Sequence, residues 1–155
     1  MLSKPKLENR QKQTYTAIRT ALPIPFGKYL QPLWDEVDGW LKSQDIASPG
    51  PAIIRYLTTD MSKKLDIDVG FVVDGVILGN GHIITDVLPA GQYATLLYTG
   101  PYKGKGIYKA TVALLDWAKE NGVEWWNGRV EWYLTDPARE VDTKKYRTEL
   151  AFLVK

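Results

Sequence analysis

Apolar and polar residues alternate along this chain with two different periods, and the period changes where Gly and Pro cluster. Residues 12–22 read as a strand closed by Pro23. Over 28–43, Leu30, Leu33, Trp34, Val37, Trp40 and Leu41 recur at three- and four-residue steps, which predicts a helix with one buried stripe. "SPGP" at 48–51 breaks the chain before strands predicted at 52–58 and 67–74. The segment 75–91 holds "DGVILGNGH" and "LPAGQ" and reads as a turn-rich crossover. The order then recurs, with a strand at 92–99, a helix at 105–120 and strands at 129–135 and 146–154. In the second helix Ile107, Ala110, Leu114, Trp117 and Ala118 share the buried stripe. The predicted class is α+β, built from two strand–helix–strand–strand units.

The residues themselves repeat. "YTAIRTALP" (15–23) aligns with "YATLLYTGP" (93–101), pairing Tyr15 with Tyr93 and Pro23 with Pro101. "GWLKSQDI" (39–46) aligns with "DWAKENGV" (116–123), and "RYLTTD" (55–60) with "WYLTDP" (132–137). The offset is 78 residues in the first block and 77 in the others. Three blocks in one order at one spacing point to an internal repeat. Residues 1–155 are therefore expected to form a single domain, with repeats at about 12–74 and 92–154, a linker at 75–91, and a pseudo-twofold axis between them. If helices cover one face of each sheet, the other face is expected to be buried between the units or to line a cleft, a common place for a small ligand.

Two glutamates break the repeat. On the 77-residue offset Glu131 falls on Ile54, and Glu149 of "RTELAFLVK" falls on Val72. The scaffold has an aliphatic solution at each place, so folding alone gives little reason to bury a carboxylate there. The plain alternative is that both are exposed strand ends, or are paired with Arg129 or Arg147. Strand alternation puts Tyr133 on the face of Glu131, with Ile54 and Tyr56 as counterparts in the first half. A carboxylate among Tyr and Ile suits a lipophilic cation, through ion pairing and cation–π contact. Arg55 aligns with Trp132, and one of the two sits oddly if that face packs on helices.

"LPAGQYATLLYTGPYKGKGIYKATVALLDWAKENG" (88–122), "VEWYLTDP" and the closing "RTELAFLV" together resemble the GyrI-like small-molecule-binding domain, the effector-binding module of AraC-type and MerR-type multidrug regulators. The likeness continues through "GPAIIRYLTTDM" and "LDIDVGFVVDG", and the opening "KPKLENRQKQTYTAIRT" resembles stand-alone members. The resemblance implies a ligand cleft between two related units and binding of lipophilic, often cationic or aromatic, compounds. By motif position the central acid is Glu131 with Tyr133 beside it, and Glu149 occupies the acid of the family's threonine–glutamate signature. Ile54, Tyr56, Tyr98 and Trp132 are candidate walls, with Tyr102 at the cleft mouth. Some stand-alone members are hydrolases that open strained cyclopropanes, which would make Glu131 and Tyr133 catalytic. In that case Glu131, or Glu149, would activate water and Tyr133 would assist the carbonyl that takes up charge. The chain departs from the family at Trp125-Trp126, where Pro and Gly are frequent, and at Trp132; these would narrow a cleft they lined.

Composition narrows the alternatives. Six Trp and nine Tyr supply amphipathic walls. A net charge of +2 is too small to argue for nucleic acid, and it gives no support to action on a partner such as DNA gyrase. The basic lead-in, with Lys4, Lys6, Arg10, Lys12 and Arg19 against Glu8, reads as a solvated end. With no Cys there is no thiolate metal site, and with His82 in a turn as the one His no metal site is expected and no Ser-His-Asp set can be assembled. No cofactor is expected. "GPYKGKG" is one residue short of a phosphate loop and lacks the following Ser or Thr. Asp66 and Asp68 alternate with Leu65 and Ile67 as on the solvent face of an edge strand. The polar start and the lack of long apolar runs suggest a cytoplasmic protein with no membrane partner.

Overall fold

The computed structural model describes residues 1–23, 25–46, 49–57, 64–75 and 77–155, without the side chains at 127 and 128. Ser48 and Thr58, at the start of the predicted break and the end of the strand over 52–58, lie outside the described residues. In chain order the elements are β1 (Lys6–Arg10), β2 (Gln13–Pro23), α1 (Gly27–Ser43), β3 (Ala52–Tyr56), β4 (Lys64–Val72) and β5 (Ile83–Leu88). There follow β6 (Gly91–Thr99), α2 (Gly106–Glu120), β7 (Trp125–Tyr133), a short 3-10 turn (Thr143–Lys145) and β8 (Arg147–Val154). The class is α+β, as the two periods predict. No helix among the described residues is long and apolar enough to cross a membrane.

The chain divides into two compact units. The first is Gln11–Ala90; the second joins Met1–Arg10 to Gly91–Lys155. In the first unit the antiparallel strands lie in the order β5-β2-β4-β3. The stripe predicted for α1 packs on this sheet: Val37 and Leu41 are fully buried against Ile18, Val73 and Ile83. Each such aliphatic side chain stabilises the unit by about 1.5–3 kcal/mol. Trp34 donates its indole N–H to the Gly70 carbonyl at 3.1 Å. A Cβ on Gly70 would collide with the Thr16 carbonyl and with Ala17, so only glycine lets β4 approach β2 this closely.

In the second unit the order is β1-β6-β8-β7, again antiparallel. The α2 stripe residues Ala110, Leu114 and Ala118 pack on Ala94, Leu96, Tyr98, Leu150 and Phe152. Two strands were not predicted by the residue pattern. The lead-in is not a solvated end: Lys6–Arg10 pairs with Gly91–Thr95 of β6, and Met1 and Ser3 continue the backbone pairing up to Thr99. Part of the expected turn-rich crossover is β5, paired with Gln13–Ile18 of β2.

Asp68 corrects a third expectation. β4 is paired on both sides, so it is no edge strand, and Asp68 is fully buried. Its carboxylate accepts the Tyr15 hydroxyl at 2.5 Å and both Arg19 Nε and Nη2 at 2.8 and 2.9 Å. Arg19 also reaches Asp86 at 2.7 Å, and Arg55 donates to the Tyr15 hydroxyl at 3.0 Å. Two acids and two guanidiniums thus cancel, and the fork–fork geometry offsets the desolvation of Asp68. Burial, then the Asp68 carboxylate, push the Tyr15 phenol above its ordinary 10.0, against a weaker pull from Arg55.

Two predictions test this cluster. Asp68→Ala leaves the Tyr15 hydroxyl without its buried acceptor, while the half-exposed Arg19 keeps Asp86, and is expected to lower unfolding stability by about 1–3 kcal/mol in urea titrations. In alkali the folded state keeps a Tyr15 proton that the unfolded chain loses above pH 10.0. That contribution is complete below this pH and is lost as pH rises through the higher folded value. The urea midpoint should therefore fall more steeply with alkali in the wild type than in Tyr15→Phe.

Candidate functional site

Register decides what Glu131 faces. Residues directly opposite in an antiparallel pair leave the sheet on the same side. Leu150 stands opposite both Leu96 and Glu131, and Thr148 opposite both Tyr98 and Tyr133. Leu96, Tyr98 and Leu150 pack on α2. Glu131, Tyr133 and Thr148 therefore lie on the helix-bearing side of the sheet. Glu131 is only 3% exposed, and its Oε1 accepts the Tyr133 hydroxyl at 2.6 Å.

Aromatic rings adjoin this pair. Tyr102 meets Tyr133 edge-on at 5.2 Å and Tyr146 at 4.6 Å. Its hydroxyl donates to the Thr135 carbonyl at 2.6 Å and accepts the Thr135 amide at 3.1 Å. Burial raises the Tyr102 phenol, partly countered by those Thr135 bonds. Beneath these rings, Thr148 is fully buried and its hydroxyl has no hydrogen-bond partner among the described residues. Leaving such a group unpaired costs about 1–3 kcal/mol. No residue pattern marks it, since Thr in a strand is ordinary.

The loop "GPYKGKG" carries Tyr102 and is shaped by Tyr98. The Tyr98 ring is buried in the α2 core and its hydroxyl donates to the Pro101 carbonyl at 3.1 Å. A Cβ on Gly100 or Gly106 would strike that hydroxyl. Those two glycines make room for a phenol. The Gly100 amide ties the loop to the Tyr146 carbonyl at 2.7 Å.

Trp132 and Glu149 stand opposite each other, one residue out of phase with Glu131, and so lie on the side away from α2. There the Arg10 guanidinium lies 5.1 Å from the Trp132 ring centroid and pairs with Glu149 at 2.7 Å and Glu8 at 2.6 Å. Arg10 was missed because its strand, "KLENR", has a single apolar residue. The structure thus brings Glu131, Tyr133 and Tyr102 together and separates them from Glu149 and Trp132. Ile54 and Tyr56, 1% and 6% exposed, belong to the first unit. They stand opposite Val69 and Ile67 of β4, in phase with Ile18, and so face α1. Arg55, between them, points the other way with Tyr15 and Asp68. Trp125 packs edge-on to Phe152 at 5.7 Å, at the far end of β7 from Tyr133. His82 is exposed and lies 2.9 Å from Glu36 of α1.

The glycine argument yields a prediction. Gly106→Ala should cost about 1–3 kcal/mol of stability through overpacking. Combined with Tyr98→Ala in a double-mutant cycle, most of that cost should disappear; additive losses would separate the two positions.

Solved structures with the same fold extend the comparison. The chain is similar to EcmrR in an EcmrR–DNA complex, with a TM-score of 0.79 and 22% identity over 98% of this chain and 57% of that one. The EcmrR C-terminal domain alone gives 0.74 and 21%, covering 98% and 97%. SAV2435 bound to tetraphenylphosphonium gives 0.66 and 12%, covering 99% and 94%. A hydrolase from Listeria innocua gives 0.63 and 12%, covering 98% and 92%. At these identities the likeness is one of fold. No curated protein matches the chain at a significant level. Residues 3–155 match the GyrI-like small molecule binding domain, and the chain belongs to that family.

Proposed function

We propose that this GyrI-like chain binds lipophilic aromatic cations, with Glu131 as counter-charge and Tyr133 and Tyr102 as aromatic walls. The observation that carries this reading is the Glu131 carboxylate itself. It is buried on the helix-bearing side of its sheet, where its Oε1 accepts the Tyr133 hydroxyl at 2.6 Å. A buried anion beside π-faces repays a delocalised cation twice, through charge and through ring quadrupoles. SAV2435, of the same fold, was solved with such a cation, tetraphenylphosphonium. Glu149 plays a different part in this proposal. Arg10 already neutralises it, so it anchors β1 rather than the ligand.

The two units run through the same order, strand–helix–strand–strand, with β5 and β1 each added beside the first strand. That order supports reading them as repeats of one design within one domain. Ile54 and Tyr56 then hold in β3 the places that Glu131 and Tyr133 hold in β7.

A hydrolytic reading is favoured by one distance, the 2.6 Å between the Tyr133 hydroxyl and Glu131. Water would add to the strained carbon of a cyclopropane conjugated to a carbonyl, and the ring C–C bond would break toward that carbonyl. Tyr133 would give its proton to the carbonyl oxygen. Glu131 would take the proton lost by water and return it to Tyr133, so the pair would end as it began. A hydrolase shares the fold, which supports but does not extend this reading.

The two readings part on measurement. Titration calorimetry with tetraphenylphosphonium and with neutral triphenylphosphine oxide should show Glu131→Gln weakening the cation by about tenfold or more, roughly 1.4 kcal/mol, with the neutral compound unchanged. Equal losses, or no binding of the cation by the wild type, would sink the electrostatic reading. Hydrolysis instead requires a ring-opened water adduct from a cyclopropane-bearing alkylator, absent with Glu131→Gln and with Tyr133→Phe.

A further inference from the structure

The Thr148 hydroxyl is a buried polar group that neither the fold nor the Glu131–Tyr133 pair uses. It is fully buried and unpartnered among the described residues, and it stands directly opposite Tyr133. Glu131 is its diagonal neighbour on the same side of the sheet, a spacing of about 7–8 Å at Cα. A strand position facing a helix accepts Val with the same shape and no hydroxyl, so packing does not call for threonine here. The Tyr133 proton is directed to Glu131 at 2.6 Å, so Tyr133 does not donate to Thr148.

We propose that Thr148 is a specificity-determining residue, and that the ligand is an aromatic cation carrying two or more N–H groups, a primary ammonium or an amidinium. This rests on the ligand-binding reading above and narrows it. One N–H donates to the Glu131 carboxylate and a second to the Thr148 oxygen, which keeps two lone pairs for the purpose. A quaternary ammonium or a phosphonium has no N–H and engages the carboxylate by charge alone. The threonine therefore separates cations that have the same charge and the same ring system, because only a cation with a second N–H gains a hydrogen bond to it.

Calorimetry with naphthylmethylammonium and naphthylmethyl-trimethylammonium tests this. Thr148→Val is expected to weaken the primary ammonium about tenfold and to leave the trimethyl compound unchanged. Thr148→Ser, which restores the hydroxyl, should recover most of the loss. Because the hydroxyl has no partner among the described residues, Thr148→Val should melt at or above the wild-type temperature. Equal effects on both cations, no effect on either, or a lower melting temperature would each overturn the inference while leaving the role of Glu131 intact. If the wild type binds neither cation, the ligand-binding reading fails and this one with it.

Discussion

A carboxylate 3% exposed on a sheet face that otherwise packs on a helix sets the terms for the second unit. Desolvation of such a group costs several kcal/mol, and the phenol of Tyr133 returns part of it through a charge-assisted bond. That bond holds the Tyr133 ring, which Tyr102 meets edge-on and Tyr146 adjoins through Tyr102. The Tyr102 loop is held in turn by Thr135 and by the space that Gly100 and Gly106 leave for Tyr98. The arrangement is one of interlocked groups around a buried carboxylate.

Two further acids tie strands together. Asp68 and Glu149 both lie on the side of their sheets away from the helices, and each is answered by an arginine from another strand. Those pairs bind strands together: Arg19 joins β2 to β4, and Arg10 joins β1 to β8. Glu131 sits on the helix-bearing side with a phenol.

Both helices and six of the eight strands were legible in the sequence, because their apolar residues keep one period for long enough to read. β5 was not legible because Ile83, Ile84, Val87 and Leu88 form a short run between glycine turns. β1 was not legible because it is held by backbone pairing and by Arg10, not by an apolar face. Asp68 read as solvent-facing from alternation alone; its burial depends on β4 lying between β2 and β3, which no local pattern states. Glu131 and Tyr133 stood out because the repeat offered Ile54 and Tyr56 for comparison. Their side of the sheet did not, since register is a property of the pairing between strands. Thr148 carried no signal, because an unpartnered hydroxyl exists only once its neighbours are in place.

The central claim is that Glu131, and not Glu149, is the acid that receives a cation. Anomalous scattering from crystals soaked in tetraphenylarsonium would locate the cation by its arsenic atom. The account predicts the arsenic within about 4–6 Å of the Glu131 carboxylate, on the helix-bearing side of the sheet and against Tyr133. Arsenic beside Glu149 and Trp132, with Arg10 displaced, would contradict it.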